Sequence, residues 1–317
     1  MSTCNRTVDV TIFILSYNRP QYLKEALDSV LKQETKPQKI IVLDNGSNQE
    51  VNEIIQTEVS NGVEWIGSDI NHPSIWNFRR AIEIARGKYF IMMHDDDRLL
   101  PHYLGSMFDY LERNPDVIAV GCNAFIIDGN GKRFGTSLIK FENEIIVTYS
   151  NPGEMAHLYT HSFLPYPSVL YRNGFPQKVP LREEYGQVGD SLFLCELTKY
   201  GKISYINNEG FEYRIHKGQD SSYIPFELIR YRNELLLEMA KGNDLLIKKM
   251  THNIAVAETK LALMEIANVA IKTKSIRQVI QKMEKVRSPN FNPFLIFQAF
   301  HQYRMDVGFF SKYIFKD

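Results

Sequence analysis

Cysteine is scarce: three in 317 residues, at positions 4, 122 and 195, with no C-x-x-C spacing. That argues against a disulfide framework and a zinc site, and for a reducing compartment. Net charge is lacking too, with 37 Lys+Arg against 37 Asp+Glu, so no global field draws nucleic acid and any basic site is local. No apolar run approaches the roughly 18 residues needed to cross a bilayer. The first, Val10 to Leu15, is too short for a signal-peptide core and passes at once into polar residues. Repeats and low-complexity tracts are absent, and Ser16-Tyr17-Asn18 stands where a Gly-rich phosphate loop would follow the first strand. What remains is a chain with 44% apolar residues, enough for a substantial core. It reads as cytoplasmic, either soluble or peripheral at the inner face of a membrane.

Over the first hundred residues strand and helix signals alternate. Val10–Leu15 is a β-branched run, and Leu23, Ala26, Leu27, Val30 and Leu31 then recur at helical spacing. Lys39–Leu43 predicts a second strand, stopped by the turn Asp44-Asn45-Gly46-Ser47. A helix over 49–59, a strand over 63–66, a helix over 74–85 and a strand over Tyr89–His94 follow. This alternation predicts an α/β fold, a Rossmann-like and mostly parallel sheet flanked by helices. In such sheets ligands bind beyond the carboxyl ends of the strands.

Past a helix over Pro101–Asn114 the alternation stops. Val117–Ile127 predicts a strand, Asp128-Gly129-Asn130-Gly131 a hairpin turn, and residues 132–188 are mixed and rich in Pro, Tyr and Gly. Leu192–Tyr200 reads as a helix, and Ile203–Ile206 and Phe211–Ile215 as two strands. From Phe226 to about Arg287 the pattern is helical alone. The expected organisation is one domain over 1–222, with halves 1–115 and 116–222, and a C-terminal helical subdomain over 223–317.

The chemically pointed feature is Asp95-Asp96-Asp97, reached from the apolar run Tyr89–His94. Carboxylates that close raise one another's pKa, and oxygen-rich clusters suit Mg²⁺ or Mn²⁺. Such an ion would in turn draw a nucleotide's diphosphate. The plainer reading is an acidic loop that opens the next helix, since Asp favours N-caps and Pro101 suits an early helical position.

Four segments, Phe13 to Pro20, Val42 to Ser47, Ala85 to Ile91 and His94 to Asp97, resemble in order the markers of family-2 glycosyltransferases of the GT-A fold. The resemblance covers roughly residues 9–216. It implies an inverting, metal-dependent, hexosyltransferase-like enzyme that moves a sugar from a nucleotide-sugar, usually a UDP-sugar. The acceptor it implies is the hydroxyl of a glycan or lipid-linked molecule, as in bacterial surface polysaccharide synthesis. Carried over residue by residue, it places nucleotide binding on Ser16, Tyr17, Asn18, Asp44, Arg79 and Asp95, and the Mn²⁺ or Mg²⁺ on Asp96 and His216. Tyr17 takes the position that packs on the base and Asp44 the one that accepts from a base N–H. Asp190 matches the catalytic base, and Asp97 is left to cap the next helix. Where the family has Asp-x-Asp-Asp, this chain has His94-Asp95-Asp96-Asp97, and Phe78-Arg79 replaces the usual Arg-Asn pair.

After Tyr213-Arg214-Ile215-His216-Lys217, the Gly and Ser content suits a loop that closes over substrate, with Arg214, His216 and Lys217 as phosphate donors. His157, His161, Tyr166, Pro167, Ser168, Tyr171, Arg172, Glu183 and Glu184 are candidates for the acceptor pocket. The aromatic and basic tail Phe291–Asp317 suits packing on the core or docking on a membrane surface. The sequence leaves the oligomeric state open. A non-catalytic sugar-nucleotide or glycan-binding module on the same fold is the competing reading, kept alive by His94.

Overall fold

The computed structural model describes residues 6–137, 145–162, 164–219 and 224–273. Two compact units emerge, one of residues 1–155 and 163–216, the other of 156–162 and 217 onward.

The first unit begins with the expected alternation. β1 (Thr7–Ser16), α1 (Pro20–Leu31), β2 (Lys36–Asp44), α2 (Gln49–Val59), β3 (Val63–Ile66), α3 (Ser74–Ile84) and β4 (Tyr89–His94) follow one another. Each helix forms for a local reason. Pro20 opens α1, and Leu23, Ala26, Leu27 and Val30 make its buried stripe. Asn48 caps α2 by accepting from Val51 N at 3.2 Å. In β4, Tyr89 through Met93 are all buried, the continuous apolar run of a strand covered on both faces.

Next come β5 (Arg98–Leu99), α4 (Tyr103–Arg113), β6 (Val117–Ile127), β7 (Arg133–Ser137), β8 (Ile146–Tyr149), α5 (Pro152–Tyr159), β9 (Leu170–Arg172), α6 (Gly189–Leu197) and β10 (Lys202–Arg214). The sheet runs β3-β2-β1-β4-β9-β6-β10-β5, with β7 paired to β6 and β8 to β10. Pairings β3-β2, β2-β1, β1-β4 and β6-β10 are parallel. β9 lies antiparallel between β4 and β6, so the sheet is parallel through the first four strands and mixed beyond.

Several boundaries differ from the sequence expectation. The mixed segment supplies β7, β8, α5 and β9, too short to stand out from their Pro- and Gly-rich surroundings. The two strands expected at 203–206 and 211–215 are one: β10 crosses Asn207-Asn208-Glu209-Gly210 with register irregularities against β6. A side chain at Gly210 would meet Cys122 Sγ at 2.9 Å and Tyr103 Cδ2 at 3.0 Å. The glycine that reads as a turn is there because β10 presses on β6 and α4. α6 begins at Gly189 rather than Leu192.

The second unit carries α7 (Phe226–Met239) and α8 (Asp244–Thr273), helical as expected. Asn253 of α8 donates to Thr160 Oγ1 at 3.1 Å, and Asn233 of α7 to Glu258 of α8 at 3.1 Å. Among the described residues no helix is long and apolar enough to cross a membrane. The Phe291–Asp317 tail lies outside them.

The turn after β2 depends on a glycine. Gly46 has φ +76°, and a Cβ there would lie 2.5 Å from the Ile70 carbonyl carbon and 2.8 Å from Asn71 N, both main-chain atoms. The left-handed backbone alone costs an L-residue about 1–2 kcal/mol. Gly46→Ala is therefore expected to lower the unfolding free energy by about 2 kcal/mol or more, read from the midpoint of a urea titration.

Candidate active site

Three neighbouring parallel strands deliver their carboxyl ends to one rim. Ser16 ends β1, Asp44 ends β2 as its register partner, and His94 ends β4 opposite Leu15. Asn18, at φ +50°, joins the first two turns: its N–H donates to Ser47 Oγ at 2.9 Å and its Oδ1 accepts from Asn48 N at 2.8 Å. Asp44 Oδ2 accepts from Ser47 N, three residues on, at 3.0 Å, so the side chain braces its own turn. The other oxygen, Oδ1, is buried with no hydrogen-bond partner among the described residues, as is Ser16 Oγ beside it. Tyr17 is 39% exposed. An exposed ring, a buried acceptor and a buried hydroxyl thus share one end of the sheet.

The acidic turn after β4 is buried at all three positions. Asp95 accepts from Tyr17 N at 2.9 Å and Arg19 Nη1 at 3.0 Å. Asp96 takes a second approach from Arg19 at 3.3 Å and a hydrogen bond from His216 Nε2 at 3.0 Å. Asp97 Oδ1 accepts from Arg214 N at 2.9 Å, and its Oδ2 is buried with no hydrogen-bond partner among the described residues. The expected capping role for Asp97 is overturned: α4 starts at Tyr103 with His102 as its cap residue, and Asp97 instead ties the turn to β10.

These environments separate the three carboxyls. Burial, then the Asp96 charge, pushes Asp95 up to about 7, against Arg19 and the Tyr17 N–H. Burial, again with Asp96, also raises Asp97 well above the usual carboxylate range. Burial acts upward on Asp96 as well, but the His216 hydrogen bond and the charges of His94, Arg19 and His216 outweigh it, so Asp96 is held low. The middle carboxylate is the one that ionises most readily. His94, Asp96 and Asp97 each offer a ligand atom, and these lie within 4.8 Å of one another.

Arg214 is fully buried beneath this turn. Its Nε donates to Asp96 O at 2.6 Å, its Nη2 to Glu25 Oε2 at 2.6 Å, and its Nη1 to Asp128 O at 3.3 Å and Gly129 O at 3.4 Å. The guanidinium also sits 4.4 Å from the Tyr22 ring centroid, and Tyr22 meets His216 edge-on at 4.9 Å. The sequence reading offered Arg214 to phosphate. The structure corrects this, because its donors are committed inward to main chain and Glu25. No local signal marks this role, since each of these hydrogen-bond partners lies 85 residues or more away in sequence.

Asp190 is exposed in the first turn of α6, two residues after the cap residue Val188. Burial raises the Tyr166 phenol well above its usual range, and the charges of both Asp190 and Asp97 add to it, which brings Tyr166 within electrostatic reach of each. Its ring also meets His94 edge-on at 5.3 Å. Arg79 pairs with Glu183 at 3.1 Å and donates to Leu181 O at 3.4 Å. Among the acceptor-pocket candidates, Ser168 and Tyr171 are corrected. Ser168 and Tyr171 are fully buried. Arg172 donates to Tyr89 Oη at 2.9 Å and to Leu111 O at 3.0 Å. His157 and His161 belong to the second unit, ring centroids 4.9 Å apart.

Arg214→Lys keeps the charge but loses the fork that serves three separate groups. It is expected to lower the unfolding free energy by about 3 kcal/mol, because removing one partner strands buried polar groups. Urea unfolding compared with Arg98→Lys, in the more exposed neighbouring pair, provides the measurement.

A family model for glycosyl transferase family 2 matches residues 11–168. An uncharacterized glycosyltransferase of Methanocaldococcus jannaschii is 30% identical over 214 residues, 65% of this chain and 70% of that protein. Another, from Haemophilus influenzae, is 24% identical over 285 residues, 86% of this chain and 85% of its own length. Among solved structures, S. aureus TarS 1–349 in complex with UDP-GlcNAc superposes with a TM-score of 0.61 at 14% identity, covering 88% of this chain and 79% of that one. The TarS 1–349 complex with UDP gives 0.59 at 15%, covering 86% and 78%. These structures show a shared fold, the GT-A arrangement. The family model and the M. jannaschii relative establish that this chain belongs to glycosyl transferase family 2.

Proposed function

We propose that the chain is an inverting transferase that moves a hexose-type sugar from a nucleotide-sugar, of the UDP class, to an acceptor hydroxyl on a glycan or lipid-linked molecule. The observation that carries this reading is the convergence of Ser16, Tyr17, Asp44 and the His94–Asp97 turn on one rim, closed from β10's end by His216. TarS, which shares the fold, is described with UDP and with UDP-GlcNAc, which supports a nucleotide-sugar donor. Residues 1–115 would hold the nucleotide and 116–222 the acceptor.

In this reading Tyr17 packs on the base, Asp44 Oδ1 accepts a base N–H, and Asn18 with Ser47 keeps the two turns together. Arg79 and Asp95 belong to the nucleotide side, Arg79 steered by Glu183 and Asp95 keeping the 17–19 turn in place. The acidic corner fits a divalent cation on its own chemistry: an ionised Asp96, the buried Asp97 Oδ2 that has no partner among the described residues, and an imidazole from His94. Asp96 would be the central ligand, with His216 on its Oδ2 as a second contact or as the group that aims it. When bound, Mn²⁺ or Mg²⁺ supplies Lewis-acid stabilisation to the diphosphate leaving group. Asp190 takes the proton of the acceptor hydroxyl as that oxygen bonds to the anomeric carbon, a general-base contribution of about 10²–10⁴-fold. No covalent nucleophile is required.

Two measurements check this. In a nucleotide-sugar panel with Mn²⁺, Asp96→Ala is expected to lose turnover of every donor. Asp190→Ala is expected to lose about 10²-fold or more in transfer while still binding nucleotide. Metal-independent activity that survives Asp96→Ala would sink the assignment, and nucleotide binding without turnover would favour a binding module. Separately, Mn²⁺ at about 100 times its Kd is expected to stabilise the wild type by about 2.7 kcal/mol in thermal unfolding, and Asp96→Asn to abolish most of that gain.

A further inference from the structure

Beside Asp44 and away from the acidic corner lies a cluster that the chemistry above leaves unused: His72, Trp76 and Arg80. Trp76 and Arg80 stand one turn apart on α3. The Arg80 guanidinium carbon is 4.1 Å from the Trp76 ring centroid, and the His72 imidazole stacks on the same indole at 3.9 Å and 24°. Arg80 Nη1 donates to Asp44 O at 3.3 Å and to Asn77 Oδ1 at 3.0 Å. Its Nη2 donates to Ile66 O at 3.1 Å and Gly67 O at 3.5 Å. One guanidinium thereby holds the carboxyl end of β2 and the main chain that leaves β3.

Neighbouring amides reinforce that grip. Asn77 Nδ2 donates to Leu43 O at 2.8 Å, and Asn45 Nδ2 donates to His72 O at 2.8 Å and Asn71 Oδ1 at 2.9 Å. At the residue so gripped, Asp44 Oδ1 is the buried acceptor that has no partner among the described residues. A carboxylate facing a ring N–H gains a hydrogen bond. Facing a bare ring nitrogen it loses one and stays desolvated, the kind of mismatch on which polar sites discriminate strongly.

We propose that Arg80 is a specificity-positioning residue: by tying the main-chain oxygens of Asp44, Ile66 and Gly67 together, it sets the pose in which Asp44 Oδ1 selects a base with a ring N–H, such as uracil, over one with a bare ring nitrogen, such as cytosine. This rests on the nucleotide-sugar reading above. Lysine cannot replace it, because a point charge cannot serve carbonyls on two strands as a planar fork does. An acceptor displaced by even about 1 Å loses its selectivity.

The test is binding of UDP and CDP, with Mn²⁺ present, to wild type, Arg80→Lys, Arg80→Gln and Asp44→Asn, alongside Mn²⁺ affinity and thermal unfolding of each. Wild type is expected to prefer UDP by about 10-fold or more, and both Arg80 variants to fall within about 3-fold by weakening UDP, with Mn²⁺ affinity nearly unchanged. In turnover assays the change is expected in KM for the donor rather than in kcat. Asp44→Asn, whose amide donates to a bare nitrogen, is expected to shift preference toward CDP. A wild-type UDP-to-CDP ratio in folded Arg80→Lys would overturn the proposal and leave Arg80 a structural brace. If Asp44→Asn leaves the ratio unchanged, or wild type does not discriminate, base recognition by Asp44 itself fails and this proposal falls with it.

Discussion

Three consecutive buried carboxyl groups are the constraint around which this protein is organised. Taking a charge out of water costs several kcal/mol unless it is paired and hydrogen-bonded, so the Asp95–Asp97 turn persists only because its surroundings answer it. Arg19 reaches in from the start of α1, His216 from just beyond β10, and the β10 main chain through Arg214 N. The answer is unequal. Asp96 is held ionised, whereas burial raises Asp95 and Asp97. One charge is thus concentrated at the middle residue, a distribution suited to holding a cation.

The sheet explains how such distant groups meet. Parallel neighbours send their carboxyl ends the same way, so Ser16, Asp44 and His94 share a rim as a consequence of topology. β10 joins them from the far side by crossing its polar stretch without breaking, which carries Arg214 and His216 to the acidic turn. Arg214 beneath that turn and Arg80 beside Asp44 do similar work: each uses a planar fork to fasten carbonyls that no local ladder satisfies. Both anchor main chain, and the side chains that face outward are set by it.

Much of this was legible in the sequence. The first seven elements follow from apolar spacing and turn residues, because their hydrophobic stripes are long and their stops strong. The carboxylate-rich rim follows from where those strands end. The later elements were less legible for a physical reason: β7, β8 and β9 are short strands whose pairing comes from partners far along the chain. The Asn207-Asn208-Glu209-Gly210 stretch carries turn residues, yet it is strand because Gly210 must lie against Cys122 and Tyr103. Tyr171 looks like a pocket residue by type, yet β9 inserts between β4 and β6 and takes it inside.

The sequence by itself determined the family, the alternating architecture and the identity of the acidic turn, since these depend on local spacing and on motifs read in order. Only the tertiary structure decided what each charged residue does. It turned Arg214 from a phosphate donor into a buried clasp and Asp97 from a helix cap into a link to β10, and it showed Arg80 as the tie between β2 and β3. The reason is that a charged side chain's role is set by the dielectric and the partners around it, and those partners come from other elements of the fold.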